Sequence, residues 1–169
     1  MACERHHTSG YLAPANTVVK LLNEALATEI VCVLRYQRHY FMAAGISSFS
    51  SKAEFLQQAV GEQVHAGQLA ERIVQLGGEP NLSPEGFLNR SDPEYVEGES
   101  LREMITKDLI AKRIAINSYR ELIASVGAHD PTTSHVLKEI LAQEEEHAAD
   151  RASLLKILGP EPMGHRPIR

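Results

Sequence analysis

Four long segments with helical patterning constrain the fold of this 169-residue chain more than any other feature. Each segment has about 27 residues, or roughly 40 Å of helix, and each is bounded by residues typical of helix ends. Asn16 is predicted to cap the first helix, which runs to about Ala44. Ser51 and Glu54 form the S-x-x-E pattern of a capping box at the start of the second helix, which is expected to end at Gly77.

The third and fourth segments begin and end with equally clear signals. Ser100 and Glu103 form another capping box at the start of the third helix. Asp130 is predicted to cap the fourth helix, because a proline follows it at the first helical position. The third helix is expected to end near Gly127 and the fourth at Gly159. These four segments predict an all-α fold.

The composition indicates one helical domain over residues 16–159, between an N-terminal tail of residues 1–15 and a Pro-rich C-terminal tail of residues 160–169. The formal net charge of −5 argues against polyanion binding by the protein as a whole. Cys3 and Cys32 are too few for a disulfide framework and fit a reducing compartment. No apolar run approaches the roughly 18–20 residues of a membrane span, and no signal peptide is recognisable. We therefore expect a cytoplasmic protein without a membrane partner.

The connections between the helices differ in length. Helices one and two are joined by a few residues, as are helices three and four, which favours two antiparallel pairs. About 22 residues separate helices two and three, which is unusual for a compact domain. A connection of this length can cross the whole bundle and place helix three parallel to helix two, with a short helical turn at 84–89. The alternative is an up-down bundle with a long surface loop.

Carboxylates and histidines lie in the middle of the predicted core faces. Glu29 falls among apolar residues of the first helix, Glu62 and His65 among those of the second, and Glu144 and His147 among those of the fourth. A buried carboxylate without a partner is costly. Since all five residues lie near the midpoints of helices of equal length, we expect them to converge. Their oxygen and nitrogen atoms are ligands for iron, manganese or zinc.

The E-x-x-H spacing is a weak signal when taken alone. A third copy, Glu4–His7, lies in the N-terminal tail and is interpreted as coincidence. Two copies at the centres of core faces, with a further carboxylate at the same level, make a much stronger case for a metal site than for a set of structural core histidines.

These residues and their surroundings resemble the bacterioferritin family, and more closely its Dps-like branch. The resemblance covers most of residues 11–158 and rests on LLNEALATEIVCVLRYQRHYFMAAG, EQVHAGQLAERIVQLGGEPN and EILAQEEEHAAD. It implies a ferritin-like four-helix bundle with one long crossover between helices two and three. It also implies that Glu62 and Glu144 bridge two irons and that Tyr36 lies beside the centre. The implied ferroxidase ligands are Glu29, Glu62, His65, Glu144 and His147.

Lys112 is the departure from this pattern. It occupies the centre of the core face of the third helix, where the family has a glutamate. Glu121 is on the opposite side of that helix, and Asp108 is one turn away and could reach the site through a water. Three glutamates and one lysine sum to −2, which one divalent ion balances, and the ammonium repels a second ion. We therefore predict one tight iron and a weakened second site.

Two other interpretations of Lys112 stay open at this level. A desolvated, neutral lysine could act as a metal ligand. Alternatively, its long side chain could extend away from the centre, since the neighbouring Arg113 indicates that this part of the helix has a polar side.

Further features bear on cofactors and assembly. Gln63 stands where bacterioferritins have their haem methionine, so no haem is expected. The prolines in PEPMGHRPIR, after Gly159, argue against the fifth helix that lines the four-fold channels of 24-subunit ferritins. A homo-oligomeric shell of 12 subunits is therefore favoured over 24. The basic residues of the two tails are thin support for DNA binding, and Cys32 is interpreted as a core residue rather than a ligand.

Two functions of different classes follow. The leading one is an iron-binding cage protein that oxidises Fe(II) with oxygen or peroxide and stores the ferric product, with Lys112 altering the ferroxidase centre. The rival is a structural or DNA-associated shell whose centre Lys112 impairs. A di-iron oxygenase is a third possibility and would need a substrate pocket.

Overall fold

The fold is all-α throughout the part of the chain that the computed structural model describes, residues 15–43 and 48–159. No helix in these ranges is long and apolar enough to cross a membrane. Residues 1–14 and 160–169 lie outside the described residues. They hold all but one residue of the predicted N-terminal tail, with Cys3 and the Glu4–His7 pair, and the whole predicted C-terminal tail, so the predicted domain division stays a prediction. The helices are α1 (Ala15–Met42), α2 (Ser48–Gln75), α3 (Phe87–Arg90), α4 (Leu101–Val126) and α5 (Pro131–Ile157), with a 3-10 turn at Gly127–His129.

The capping residues predicted for the last two long helices are confirmed. The Ser100 hydroxyl accepts a hydrogen bond from the Glu103 backbone N–H at 3.1 Å. The Glu103 carboxylate accepts from the backbone N–H of Glu99 rather than from that of Ser100, so the capping box is shifted by one residue. Asp130 accepts from the Thr133 backbone N–H at 3.0 Å, with a proline in the first turn. These bonds satisfy donors that a helix start leaves unpaired.

The starts of the first two long helices differ from the prediction. Helix α1 begins at Ala15, so Asn16 lies inside it. Helix α2 begins at Ser48, and the predicted capping box of Ser51 and Glu54 therefore lies inside the helix. Since Ser48 is already helical, Ser51 is not at the helix start, and the Glu54 carboxylate instead accepts from the Arg151 guanidinium at 3.2 Å.

The long connection follows α1 from one end of the bundle to the other. Asn81 donates its backbone N–H to Asn23, Asp92 donates to Thr28, and the Glu97 carbonyl lies 2.9 Å from the His39 ring. Because α2 is antiparallel to α1 and the connection then runs along α1, α4 begins at the far end and is parallel to α2. Helix α1 packs against α2 and α4, and α5 packs against α4 and α2. The crossover is therefore confirmed, and the alternative up-down arrangement is wrong.

The predicted helix count needs one correction. The expectation of four helices without a fifth is wrong as a count, because the four-residue helix α3 forms in the crossover. This is the helical turn predicted at 84–89, displaced by a few residues. The C-terminal helix that the prolines argue against would follow Gly159 and lies outside the described residues.

Two apolar clusters flank the middle of the bundle. One includes Leu22, Leu69 and Leu137, and the other includes Tyr36, Phe55 and Ile105. Because the four long helices are of similar length and lie side by side, the residues between these clusters come from the midpoints of α1, α2, α4 and α5. The layer between the two clusters contains the charged residues described next.

Candidate metal centre

Five charged or titratable side chains meet in the layer between the two apolar clusters. Glu29 comes from α1, Glu62 and His65 from α2, Lys112 from α4 and Glu144 from α5. None of these residues is more than 2% exposed. The convergence expected from their positions along the helices is therefore present, and it includes the lysine.

Four of these residues form a group that could hold a metal ion. Ligand atoms of Glu29, Glu62, His65 and Glu144 all lie within 4.8 Å of one another. His65 Nδ1 is 3.4 Å from Glu29 Oε2, 3.6 Å from Glu62 Oε2 and 3.4 Å from Glu144 Oε1. Glu29 Oε2 and His65 Nδ1 are buried and have no hydrogen-bond partner among the described residues. Oxygen and nitrogen donors left unpaired at one point suit a divalent transition-metal ion such as iron.

Lys112 points into this layer and contacts two of the three carboxylates. Its ammonium donates to Glu144 Oε1 at 2.7 Å and makes a very short hydrogen bond to Glu62 Oε1. The side chain is 1% exposed, so it does not extend away from the centre. The ammonium thus lies between the two glutamates that the family resemblance assigns as bridging ligands.

The charges of the layer are strongly coupled. Burial raises the pKa of Glu29 well above its usual value, and the neighbouring charge of Glu62 adds to the effect. Burial opposes ionisation of Glu62 and Lys112, but their mutual attraction outweighs it and moves the two pKa values apart, that of Glu62 down and that of Lys112 up. Lys112 is therefore an ammonium here. Burial disfavours a charged His65, yet the nearby carboxylates of Glu144, Glu29 and Glu62 raise its pKa to about 12.

His147 lies at the edge of the centre rather than within the group of four. Its Nδ1 is 3.5 Å from the Lys112 ammonium and 3.9 Å from Glu144 Oε1, and its side chain is 19% exposed. Burial, and next the charge of Lys112, lower its pKa. Its ring is stacked with that of His65, at 6.5 Å between centroids. His147 is therefore the side chain of the predicted set that connects the buried layer to solvent.

Asp108 does not reach the centre, contrary to the suggestion that it could act through a water. Its Oδ1 accepts from Arg35 Nε at 3.1 Å, and its Oδ2 lies 3.0 Å from His39 Nδ1. Arg35 also donates to the backbone carbonyl of Glu94, and His39 Nε2 lies 2.9 Å from the backbone carbonyl oxygen of Glu97. Both carboxylate oxygens are thus committed to a buried network that attaches the crossover to α1 and α4.

Tyr36 is fully buried in the apolar cluster with Phe55 and Ile105, next to the centre. The Lys112 ammonium lies 5.6 Å from the centroid of its ring, within the range of a cation–π contact. Its hydroxyl has no hydrogen-bond partner within the described ranges. Cys32 is buried nearby and accepts a weak bond from Arg35 at 3.5 Å, which places it in the core and outside the group of four.

Two further residues contact the predicted ligands and were not singled out from the sequence. Tyr119 donates its hydroxyl to Glu29 Oε1 at 2.5 Å. Gln143 Oε1 lies 3.1 Å from His65 Nε2. Tyr119 shares the core face of α4 with Lys112, so its spacing of seven residues was a usable signal. Gln143 precedes Glu144 and is exposed, and no local pattern distinguishes it from other surface glutamines.

Comparison with known proteins supports the same interpretation. Residues 19–158 match the ferritin-like domain family. The bacterioferritin of Rhodobacter capsulatus is 29% identical over 85% of this chain and 88% of its own length. A nutrient stress-induced DNA-binding protein of a Synechococcus strain is 33% identical over 79% and 78% of the two chains.

Among solved structures, a dodecameric thioferritin of Bacteroides fragilis, described as bacterioferritin-related, is similar to this chain. It is 27% identical and superimposes with a TM-score of 0.82 over 86% of this chain and 88% of its own. Residues 19–158, which match the family, contain α2, α4 and α5, most of α1 and every residue of the centre. The chain therefore belongs to the ferritin-like family, with bacterioferritins and Dps-like proteins among its relatives.

Proposed function

We propose that this protein binds Fe(II) at a centre formed by Glu29, Glu62, His65 and Glu144, oxidises it, and stores the ferric product inside a homo-oligomeric shell. Iron is the substrate, and oxygen or peroxide accepts the electrons. The observation that carries the proposal is the convergence of four buried side chains that can bind a metal. Two of their atoms, Glu29 Oε2 and His65 Nδ1, have no hydrogen-bond partner among the described residues.

Lys112 limits the centre to one tightly bound iron in this proposal. Its ammonium already bonds to Glu62 and Glu144, so part of their charge is neutralised by the protein itself. A second divalent ion at that position would meet an unscreened cation in a buried layer. His147 adjoins the ammonium and serves as an outer ligand for iron that enters or leaves. Two-iron oxidation is expected to be slow.

Tyr36 is assigned a role in the oxidation step rather than in binding. It is buried beside Lys112, and its hydroxyl has no hydrogen-bond partner among the described residues. Without being a ligand, a tyrosine so placed could give one electron and its phenolic proton to the oxygen or peroxide that oxidises the iron, and would become a tyrosyl radical. No haem is proposed, because Gln63 replaces the methionine of the bacterioferritin haem site and is exposed.

The assembly is proposed to be a shell, with 12 subunits favoured over 24. The thioferritin relative is dodecameric. Exposed apolar side chains follow one face of α2 at four-residue spacing, at Leu56, Val60 and Val64. A contiguous exposed apolar row of this kind is typical of an interface. A cytoplasmic location and weak DNA association stay predictions.

The second candidate is a structural shell without an active centre. It is favoured by one observation, namely that Lys112 already satisfies Glu62 and Glu144 without any metal. In that case the layer is a buried ion-pair network that stabilises the bundle, and the protein forms a shell without oxidising iron.

An anaerobic Fe(II) titration of metal-free protein, followed by exposure to oxygen, separates the two candidates. The wild type should bind one tight iron per chain and oxidise it slowly, whereas Lys112→Glu should bind two and oxidise them faster. Arg113→Glu is the matched control, because it makes the same charge change on the exposed side of α4 and should behave as the wild type. Absence of tight iron in all three proteins would leave only the structural shell.

A further inference from the structure

His65 uses its two ring nitrogens in different surroundings. Nδ1 faces the oxygens of Glu29, Glu62 and Glu144 at 3.4 to 3.6 Å. Nε2 faces outward and lies 3.1 Å from the side-chain oxygen of Gln143 on α5. The ring itself is fully buried, so its orientation is set by these contacts and by packing.

The contact with Gln143 favours a hydrogen on Nε2. An amide oxygen only accepts hydrogen bonds, so the ring must donate from Nε2. With the Nε2 hydrogen bonded to Gln143, Nδ1 is the nitrogen that can offer its lone pair to a metal, and it is directed among the three carboxylates. A metal ligand needs this arrangement, because the nitrogen that binds a metal cannot keep its proton.

The carboxylates alone would favour the opposite tautomer. They are acceptors, and three of them surround Nδ1, so a single proton on the ring would be stabilised on Nδ1, where it blocks metal binding. Within the part of the chain that the structure describes, Gln143 is the hydrogen-bond partner of Nε2 that opposes this preference.

We propose that Gln143 is a positioning residue for metal binding, because its side-chain oxygen holds His65 with hydrogen on Nε2 and with Nδ1 free to bind the ion. The inference rests on the proposed function, since it needs a metal at the group of four. Outer partners of metal-bound histidines contribute about 10–100-fold to metal affinity in other proteins. Gln143 immediately precedes Glu144, so one short segment of α5 provides a ligand and orients a second one.

The test compares Co²⁺ affinity of metal-free wild type with three variants, measured by calorimetric titration. Gln143→Leu removes the acceptor at similar volume and should bind Co²⁺ about 10–100-fold more weakly. Gln143→Glu keeps an acceptor oxygen and should bind at or above wild-type affinity. Gln63→Leu is the control, because Gln63 is likewise exposed and adjacent to a predicted ligand, and it should not change affinity. Gln143 is exposed, so thermal unfolding of the variants should match the wild type.

A second readout reports the ring directly. In Co²⁺-loaded wild type, proton NMR should show one hyperfine-shifted, solvent-exchangeable imidazole N–H from His65 that exchanges slowly, and the same signal should persist in Gln143→Glu. In Gln143→Leu it should broaden or disappear. A bond that merely joined α2 to α5 would change stability without changing this signal or the affinity.

The outcomes separate the inference from the proposed function. Co²⁺ binding in the wild type with unchanged affinity in Gln143→Leu would overturn the role of Gln143 and leave the metal centre intact. No Co²⁺ binding in the wild type would overturn both. Weak binding in Gln143→Leu that Gln143→Glu does not restore would assign the effect to packing and overturn the positioning role.

Discussion

The ammonium of Lys112 on α4 donates a 2.7 Å hydrogen bond to the carboxylate of Glu144 on α5, with both side chains 1% exposed, in the middle of a ferritin-like bundle. Ferritin-like carboxylate sites use a glutamate from each of two helices and Glu-x-x-His from each of the other two. Here one of those glutamates is replaced by a cation of the protein. The centre therefore has its own counter-charge before any metal arrives.

Removal of that cation should destabilise the metal-free protein. Lys112→Met keeps the length of the side chain but leaves Glu62 and Glu144 without their counter-charge, and breaking a buried ion pair costs about 3–5 kcal/mol. Urea unfolding of chelator-treated protein measures the change in the free energy of unfolding. Lys107→Met on the same helix is the control and should shift stability by less than about 0.5 kcal/mol. Equal stability of the two variants would mean that the Lys112 contacts contribute nothing.

Asp108 should hold the crossover against the bundle. Asp108→Asn removes the charge that pairs with Arg35 and His39, at a cost of about 3 kcal/mol for a buried pair. Because Arg35 and His39 also bond to the carbonyls of Glu94 and Glu97, amide hydrogens around those residues should exchange faster. Hydrogen-exchange mass spectrometry measures this. Asp92→Asn, at an exposed position, serves as the comparison. Equal amide exchange around Glu94 and Glu97 in the two variants would argue against a role of Asp108 in holding the crossover.

Tyr119 should hold Glu29 in its binding orientation. Its hydroxyl donates to Glu29 Oε1, which leaves Oε2 free and 3.4 Å from His65 Nδ1. Tyr119→Phe should weaken Co²⁺ binding about 10-fold or more, as loss of an outer partner of a ligand does elsewhere. Tyr40→Phe, further along α1, makes the same chemical change away from the centre and should leave the affinity unchanged. If the two variants bind Co²⁺ equally, Glu29 does not need this hydrogen bond.

Asp130 should contribute stability that is lost in acid. Burial disfavours its charge, but hydrogen bonds from Thr133 and Arg72 outweigh this and hold its pKa below the usual value of 3.8. A carboxylate with a lowered pKa in the folded state stabilises fully above its unfolded pKa, and the contribution disappears as pH falls through the folded value. Asp130→Asn should therefore cost about 1–3 kcal/mol at pH 7, and the difference from wild type should shrink below about pH 4. Denaturant unfolding across this range measures it, and a difference that stays constant with pH would exclude the charge as its source.

The local features of the fold were readable from the sequence. Helix patterning, the caps at Ser100 and Asp130, and the positions of Glu29, Glu62 and Glu144 within core faces all depend on residues a few positions apart. Such signals predict helices and their buried sides well, because a helix repeats every 3.6 residues and its ends need specific hydrogen-bond acceptors. The two failures at helix starts, at Asn16 and at Ser51, occurred where the first turn extends beyond the expected cap.

The tertiary structure alone decided what the polar residues contact. From the sequence, Lys112 could point inward or outward, Asp108 could serve the centre, and Gln143 was one surface glutamine among several. The partners that settle these cases are 32 to 78 positions away in the chain, as in Lys112 with Glu144 and His65 with Gln143. Long side chains have many rotamers, and in a buried layer the opposite charge of a neighbouring helix outweighs local preference. Those neighbours are determined only when the four helices pack.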